Sequence, residues 1–240
     1  MNGNDPIRQT VKLFESRGRA RALAFGSSNT ERFLPGMHWF DCFDLAIRQK
    51  YGRILTCINA GISGNTTADL LARFDDDAAR YRPHLAFVTI GGNDCNPAKN
   101  IDGATFAGNL RELHRRFAAL GCAVIFQTYY APNPEGVDPV RLQNFYRYMD
   151  LVRAAAAATG SALIDHLRRW EALRRAEPQK YIRLMRDGFH VNPRGNLALG
   201  VDIARRFGAS LGQVDPDCWG EALTIQAVMD RLAPDTVPAP

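Results

Sequence analysis

Short apolar runs alternate with longer amphipathic stretches along this chain. The runs lie at residues 22–25, 54–58, 85–90, 123–128 and 162–164. Most are rich in Val, Ile, Leu or Phe, with no polar residue on every second position, the pattern of parallel strands covered on both faces. Between them, residues 39–51 carry apolar side chains at helical spacing. Residues 68–81 do the same, with Leu70, Leu71 and Phe74 on one side. So do residues 106–120, through Leu110, Leu113 and Phe117, and residues 140–159, which end in an alanine run. Residues 196–207 follow Pro193 and Gly195 as a last core helix.

Strand alternating with helix predicts a three-layer α/β/α sandwich around a five-stranded, mostly parallel sheet, flavodoxin-like in outline. No internal repeat or low-complexity linker divides the 240 residues, so a single domain is expected, with its core over about 20–207. Residues 215–240 read as a terminal helix and tail, docked on the domain or on a second copy of the chain.

Composition narrows the class. Hydrophobic residues form 46% of the chain, enough for a packed core without disulfides or metals. The net charge is +5, and all but four of the 30 basic residues are arginine. They are dispersed and not interleaved with aromatics, so no nucleic-acid surface is indicated. Five cysteines, an odd number without a CxxC pair, suggest neither a disulfide framework nor a zinc site and suit a reducing compartment. Cys57 and Cys122 read as small buried hydrophobes. The first residues are polar, and no stretch is apolar for the roughly 18 residues that span a membrane. A cytoplasmic location is the expectation.

In open parallel sheets, ligands bind beyond the carboxyl ends of the strands. There the first run is followed by Gly26-Ser27-Ser28-Asn29, the second by Gly61-Ile62-Ser63-Gly64-Asn65, and the third by Gly91-Gly92-Asn93-Asp94. Asp187-Gly188-Phe189-His190 comes much later. These four segments, in this order, resemble the blocks of the SGNH/GDSL hydrolases, and the resemblance covers about residues 20–207. It implies that fold and a serine ester hydrolase needing neither metal nor organic cofactor. Ser28 would be the nucleophile, His190 its base and Asp187 the partner that orients the imidazole. The backbone N–H groups of Ser28 and Gly64 and the side-chain amide of Asn93 would form the oxyanion hole.

The chemistry agrees with those assignments. A serine hydroxyl needs a base to become a nucleophile, and histidine is suited to that near neutral pH. Three-residue spacing puts Asp187 and His190 on one side of a helical turn. Asn93 offers an N–H that aspartate lacks, and Gly64 lets backbone approach a substrate. Plain alternatives remain for single residues: Ser28-Asn29-Thr30-Glu31 also fits a helix capping box. His38, His84, His114 and His166 lack such context and read as structural.

The first block departs from the family pattern. Gly-Asp-Ser is usual, and here Ser27 stands in the acidic place, a rival nucleophile to Ser28. Substrate contacts are expected from the irregular segments 33–39, 95–102 and 129–139, with Asn29, Phe33, Cys95, Tyr129 and Phe189 as candidates. No long apolar lid is present, which favours a small acyl group, for instance an O-acetyl on carbohydrate. A lysophospholipase or thioesterase, an acyltransferase using the same acyl-enzyme, and a silent binding protein on the same fold stay open. A nucleotide- or flavin-binding module is disfavoured, because neither GxGxxG nor GxxxxGK[ST] occurs.

Overall fold

A computed structural model describes residues 6–16, 18–212 and 216–234. Its elements follow the order α1 (Pro6–Glu15), β1 (Ala20–Gly26), α2 (Trp39–Tyr51), β2 (Leu55–Gly61), α3 (Thr67–Ala72), α4 (Phe74–Asp77), β3 (Leu85–Thr89), α5 (Gly103–Ala119), β4 (Ala123–Gln127), α6 (Pro139–Thr159), β5 (Ala162–Ile164), α7 (His166–Ala176), α8 (Pro178–Ile182), α9 (Pro193–Arg206) and α10 (Pro216–Leu232). All five strands are parallel, in the order β2-β1-β3-β4-β5. Each apolar run therefore becomes a strand of one sheet, as expected.

The core forms because aromatic rings leave the sheet on opposite faces. Phe25 of β1 meets Phe74 and Phe117 edge-on. Phe87 of β3 meets Trp39, Phe40, Phe43 and Phe207 on the other side. Such tilted and T-shaped pairs place ring edges on ring faces. The expected sandwich follows, with α3, α5 and α6 packed together in one layer and α2 against α9 in the other.

Three expectations need correction. The β2 strand is not covered on both faces: it is the sheet edge, Thr56 and Asn59 are exposed, and Cys57 is only half-buried. The single helix expected over 68–81 is broken into α3, α4 and a 3₁₀ turn at Ala79–Tyr81. The first break falls at Arg73, whose side chain turns inward to the strand ends. Helices α1, α7 and α8 were not anticipated. Helix α10 buries Ala222, Ile225, Val228 and Met229 and packs on α9 and α7, so the terminal segment docks on its own domain. Residues 235–240 of the expected tail and the polar residues 1–5 lie outside the described ones. No described helix is long and apolar enough to cross a membrane.

Candidate active site

The chain leaves β1 through a tight turn in which the N–H groups of Thr30 and Glu31 both donate to the Ser27 carbonyl at 2.9 Å. The turn lies so close to β3 that a Cβ on Gly26 would collide with the Thr89 carbonyl and the Thr30 side chain. No helix starts there. Helix α2 begins only at Trp39 and is capped by His38, so the capping-box alternative for Ser28 fails. The turn separates the two serines. Ser27 is fully buried, and its Oγ lies 2.9 Å from the Tyr129 hydroxyl. Ser28 lies at the rim, and its Oγ is 2.9 Å from His190 Nε2.

His190 arrives on a bend, not on the helical turn expected from its spacing. Asp187 builds that bend by accepting the backbone N–H groups of Phe189 and His190 at 2.9 Å each. Its carboxylate also faces His190 Nδ1 at 2.8 and 2.9 Å. A carboxylate only accepts, so Nδ1 carries the ring proton and Nε2 is left to accept the Ser28 hydroxyl proton. Partial burial opposes the Asp187 charge. The Phe189 N–H, the His190 ring and the Arg186 guanidinium outweigh it and hold the carboxyl below the usual carboxylate range.

Two further loops converge on Ser28. Gly64 sits on the loop after β2 with φ +80, a left-handed conformation that side chains resist. That loop is held from below: Glu31 accepts from the Ser63 N–H at 3.1 Å and from the Ser63 hydroxyl. On the loop after β3, Asn93 donates one amide hydrogen to the Asn65 carbonyl at 2.9 Å, so its second remains available. Its neighbour Asp94 is buried and pins the start of α3 through the Thr67 N–H and hydroxyl, at 2.8 and 2.6 Å. Burial raises the Asp94 carboxyl against those two bonds.

Ser28 and His190 divide two cavities of unequal size. One is a niche of about 20 Å³ walled by Phe33, Leu34, Pro35 and Met37. The other is an open cleft of about 770 Å³, whose walls include Gly64, Asn93, Tyr129, Asp187, Phe189 and Arg141. Asn29 and Phe33 line both. The nominated contacts are therefore brought together, with one exception. Cys95 is buried behind the site, its Sγ donates to the Gly92 carbonyl, and burial pushes its thiol up to about 11. Neither it nor the rest of 95–102 lines the cleft. The 129–139 segment does, through Tyr129 and residues 136–138.

Three residues that sequence reasoning missed hold this arrangement. The Tyr130 hydroxyl accepts the Val191 N–H at 2.9 Å and faces the Phe189 carbonyl at 2.7 Å, so it grips both neighbours of His190. It also meets Asn29 Oδ1, beside Ser28. Arg73 gathers the carbonyls of Gly26 and Ala60 and the Asn65 side chain, tying the ends of β1 and β2 to the Gly64 loop. Arg141 lies over the Phe189 ring and bonds the Gly92 carbonyl. The remaining histidines keep structural roles where bonds define them: His84 accepts the Arg21 N–H, and His166 is buried against Gln127 and Asp202. Among the described residues, no group of three or more His, Cys, Asp or Glu is placed to hold a metal ion.

The profile of the GDSL-like Lipase/Acylhydrolase family matches residues 24–198, which include all four blocks. The chain belongs to that family. Solved structures share its fold. Axe2, an acetylxylan esterase from Geobacillus stearothermophilus, superposes with a TM-score of 0.67 at 25% identity, over 80% of this chain and 96% of that one. LAE5, an α/β hydrolase enzyme from the metagenome of Lake Arreo, Spain, gives 0.68 at 23%, over 80% and 96%. In sequence, this GDSL-family chain is 28% identical over 116 residues to an acetylxylan esterase of Geobacillus stearothermophilus, covering 45% of the chain and 52% of that relative. It is 36% identical over 88 residues to the uncharacterized lipoprotein YqeF of Bacillus subtilis, covering 33% of the chain and 34% of that protein. The matched segments thus span about half and a third of these relatives' lengths.

Proposed function

We propose that this chain is a serine carboxylic-ester hydrolase that removes small acyl groups, acetyl foremost, from a carbohydrate alcohol. One observation carries the reading: Ser28 Oγ lies 2.9 Å from a His190 Nε2 whose other ring nitrogen is held by Asp187. Those are the contacts a nucleophile, its base and the base's orienting group require.

Ser28 Oγ attacks the ester carbonyl carbon while its proton passes to His190 Nε2. The carbonyl oxygen becomes an oxyanion, met by the Ser28 and Gly64 N–H groups and the free Asn93 amide hydrogen. Each such donor typically contributes ~3 kcal/mol. The intermediate collapses, the C–O bond to the alcohol breaks, and His190 returns its proton to the departing oxygen. Water, deprotonated by His190, then attacks the acyl carbon, and Ser28 leaves with a proton regained from the imidazolium.

The cavities support the substrate class. A niche of about 20 Å³ beside Ser28 has room for a methyl-sized acyl tail, since a single water needs about 10–15 Å³ by that measure. The cleft of about 770 Å³ suits a much larger alcohol. Likeness to the acetylxylan esterase agrees with both.

A series of p-nitrophenyl esters of increasing acyl length, followed by acetylated sugars, tests this reading. Acetate should be preferred, and kcat/KM should fall as the acyl chain lengthens. No hydrolysis of any ester, with no fluorophosphonate labelling of Ser28 in folded protein, would overturn it.

A further inference from the structure

Arg141 stands out in the cleft because its charge is not matched. Its Nη2 donates to the Gly92 carbonyl at 2.9 Å, beside the oxyanion donor Asn93, and its plane covers the Phe189 ring at 4.4 Å. Its Nε is buried and has no hydrogen-bond partner. No carboxylate lies within ion-pair distance of it among the described residues.

Of the other charged groups lining the cleft, Arg186 and Asp187 pair with each other, and Asp138 forms a helix cap and no ion pair with Arg141. Arg186 spends its guanidinium on Asp187 Oδ2, at 3.0 and 3.1 Å. Asp187 is further engaged by His190 and two backbone N–H groups. Asp138 caps α6 by accepting the Arg141 backbone N–H at 2.9 Å. The adjacent Cys95 supplies no thiolate, since burial pushes its thiol up to about 11. A guanidinium carries its charge at every physiological pH and presents a planar fork matched to carboxylates. Packing on Phe189 and the bond to Gly92 fix that fork in place, so little ordering cost remains when an anion arrives.

We propose that Arg141 is a specificity residue that selects acetyl esters whose alcohol portion bears a carboxylate, such as an acetylated sugar acid. The placement supports the alcohol and not the acyl group: Arg141 lines the large cleft and not the small niche. This rests on the esterase reading above and narrows its substrate.

The test compares kcat/KM for O-acetylated glucuronic acid with that for O-acetylated glucose. The wild-type enzyme should favour the acid at least tenfold, and added salt should shrink that preference, because the pair forms in an open cleft. Arg141→Gln should bring the acid-to-neutral ratio to about one, whereas Arg141→Lys should keep part of it. Equal rates for the two sugars with the wild type, or an unchanged ratio in Arg141→Gln, would overturn the proposal while leaving the esterase intact. If Arg141→Gln does not fold, the wild-type ratio and its salt dependence decide alone. Failure to cleave p-nitrophenyl acetate and to label Ser28 would remove the esterase reading itself, and this proposal with it.

Discussion

The Ser27 Oγ and the Tyr129 hydroxyl lie 2.9 Å apart, Ser27 fully buried and Tyr129 a nearly buried part of the cleft wall. Where the family places an aspartate, this chain places a neutral hydroxyl, and a neutral hydroxyl faces it. A carboxylate there would need strong compensating donors, while two hydroxyls satisfy one another. Burial pushes the Tyr129 phenol up to about 12 against the opposing effect of the Ser27 contact, so it stays protonated. The turn therefore buries Ser27 against Tyr129 and leaves Ser28 at the rim against His190.

Ser28→Ala should consequently lower kcat by about 10⁴ to 10⁶-fold, as loss of a nucleophile does. Ser27→Ala should keep most of the activity and lose about 1 kcal/mol of stability, the worth of one hydrogen bond. Steady-state hydrolysis of a short-acyl ester and urea unfolding measure the two effects. A dead Ser27→Ala with an active Ser28→Ala would reverse the assignment.

Asp187→Asn should leave the bend largely in place while changing the tautomer it favours. An amide can donate to His190 Nδ1, which puts the ring proton on Nε2 and blocks acceptance from Ser28. A fall in kcat of about 10³ to 10⁴-fold is expected. Stability provides a separate check. A carboxyl held below its unfolded value stabilises the fold above that value and loses the contribution as pH falls through the lower folded one. The stability gap between wild type and Asp187→Asn should therefore be present at neutral pH and close in acid. A gap that widens on acidification would contradict it.

His38 should make the fold less stable between about pH 6.5 and 4. It is buried at the start of α2, where its Nδ1 accepts the Phe40 N–H. Burial lowers its pKa to about 4 against the pull of Asp41. Here the unfolded chain binds the proton first, so stability drops as pH falls through that window, by up to about 3 kcal/mol. His38→Asn can still cap the helix. Its unfolding free energy should vary less over the same range, as urea titrations at several pH values would record.

Much of this was legible in the chain because the signals were local. β3 and β4 are continuous apolar runs, and the structure ends each within one residue of the run. β2 extends to Gly61 because an edge strand tolerates Asn59 and needs no apolar side chain at its end. Helix α7 was invisible for the opposite reason: it is arginine-rich, and its buried Arg169 is accommodated by ion pairs that periodicity does not encode. The four blocks located Ser28, Gly64, Asn93, Asp187 and His190. Tyr130, Arg73 and Arg141 act through backbone carbonyls and amides of distant loops. No spacing along the chain announces such contacts, and Cys95 shows that closeness in sequence does not give access, since it is buried against the Gly92 carbonyl.

Tyr130→Phe isolates one of those hidden contacts. The ring still fills its place, but the Val191 N–H loses its acceptor and the Phe189 carbonyl keeps only the longer bond from the Asn29 amide, at 3.3 Å. Because Tyr130 acts through the residues flanking His190, kcat should fall by about tenfold with KM nearly unchanged, and fluorophosphonate labelling of Ser28 should slow in parallel. Loss of hydrolysis should track a displaced imidazole and not weaker binding. A change confined to KM, or to thermal stability alone, would mean that the hydroxyl only packs.

Arg169→Met tests how the terminal helix is fastened. Arg169 is 2% exposed and reaches Asp202 at 2.6 Å, and Gln226 and Asp230 of α10 at 2.9 and 2.8 Å. Burial opposes the Asp202 charge, but His166, Arg206 and Arg169 overcome it and hold the carboxyl well below the usual carboxylate range. Removing Arg169 leaves a buried carboxylate short of a partner, at a cost of about 3–5 kcal/mol. Replacing both members, Arg169→Met with Asp202→Leu, removes the stranded charge and should recover part of that loss. Neither residue lines the cleft or the niche, so kcat per folded molecule should stay near wild type. Urea midpoints for the two variants, with active-site titration by fluorophosphonate, separate fastening from catalysis. Equal midpoints for wild type and Arg169→Met would show that Arg169 does not fasten α10.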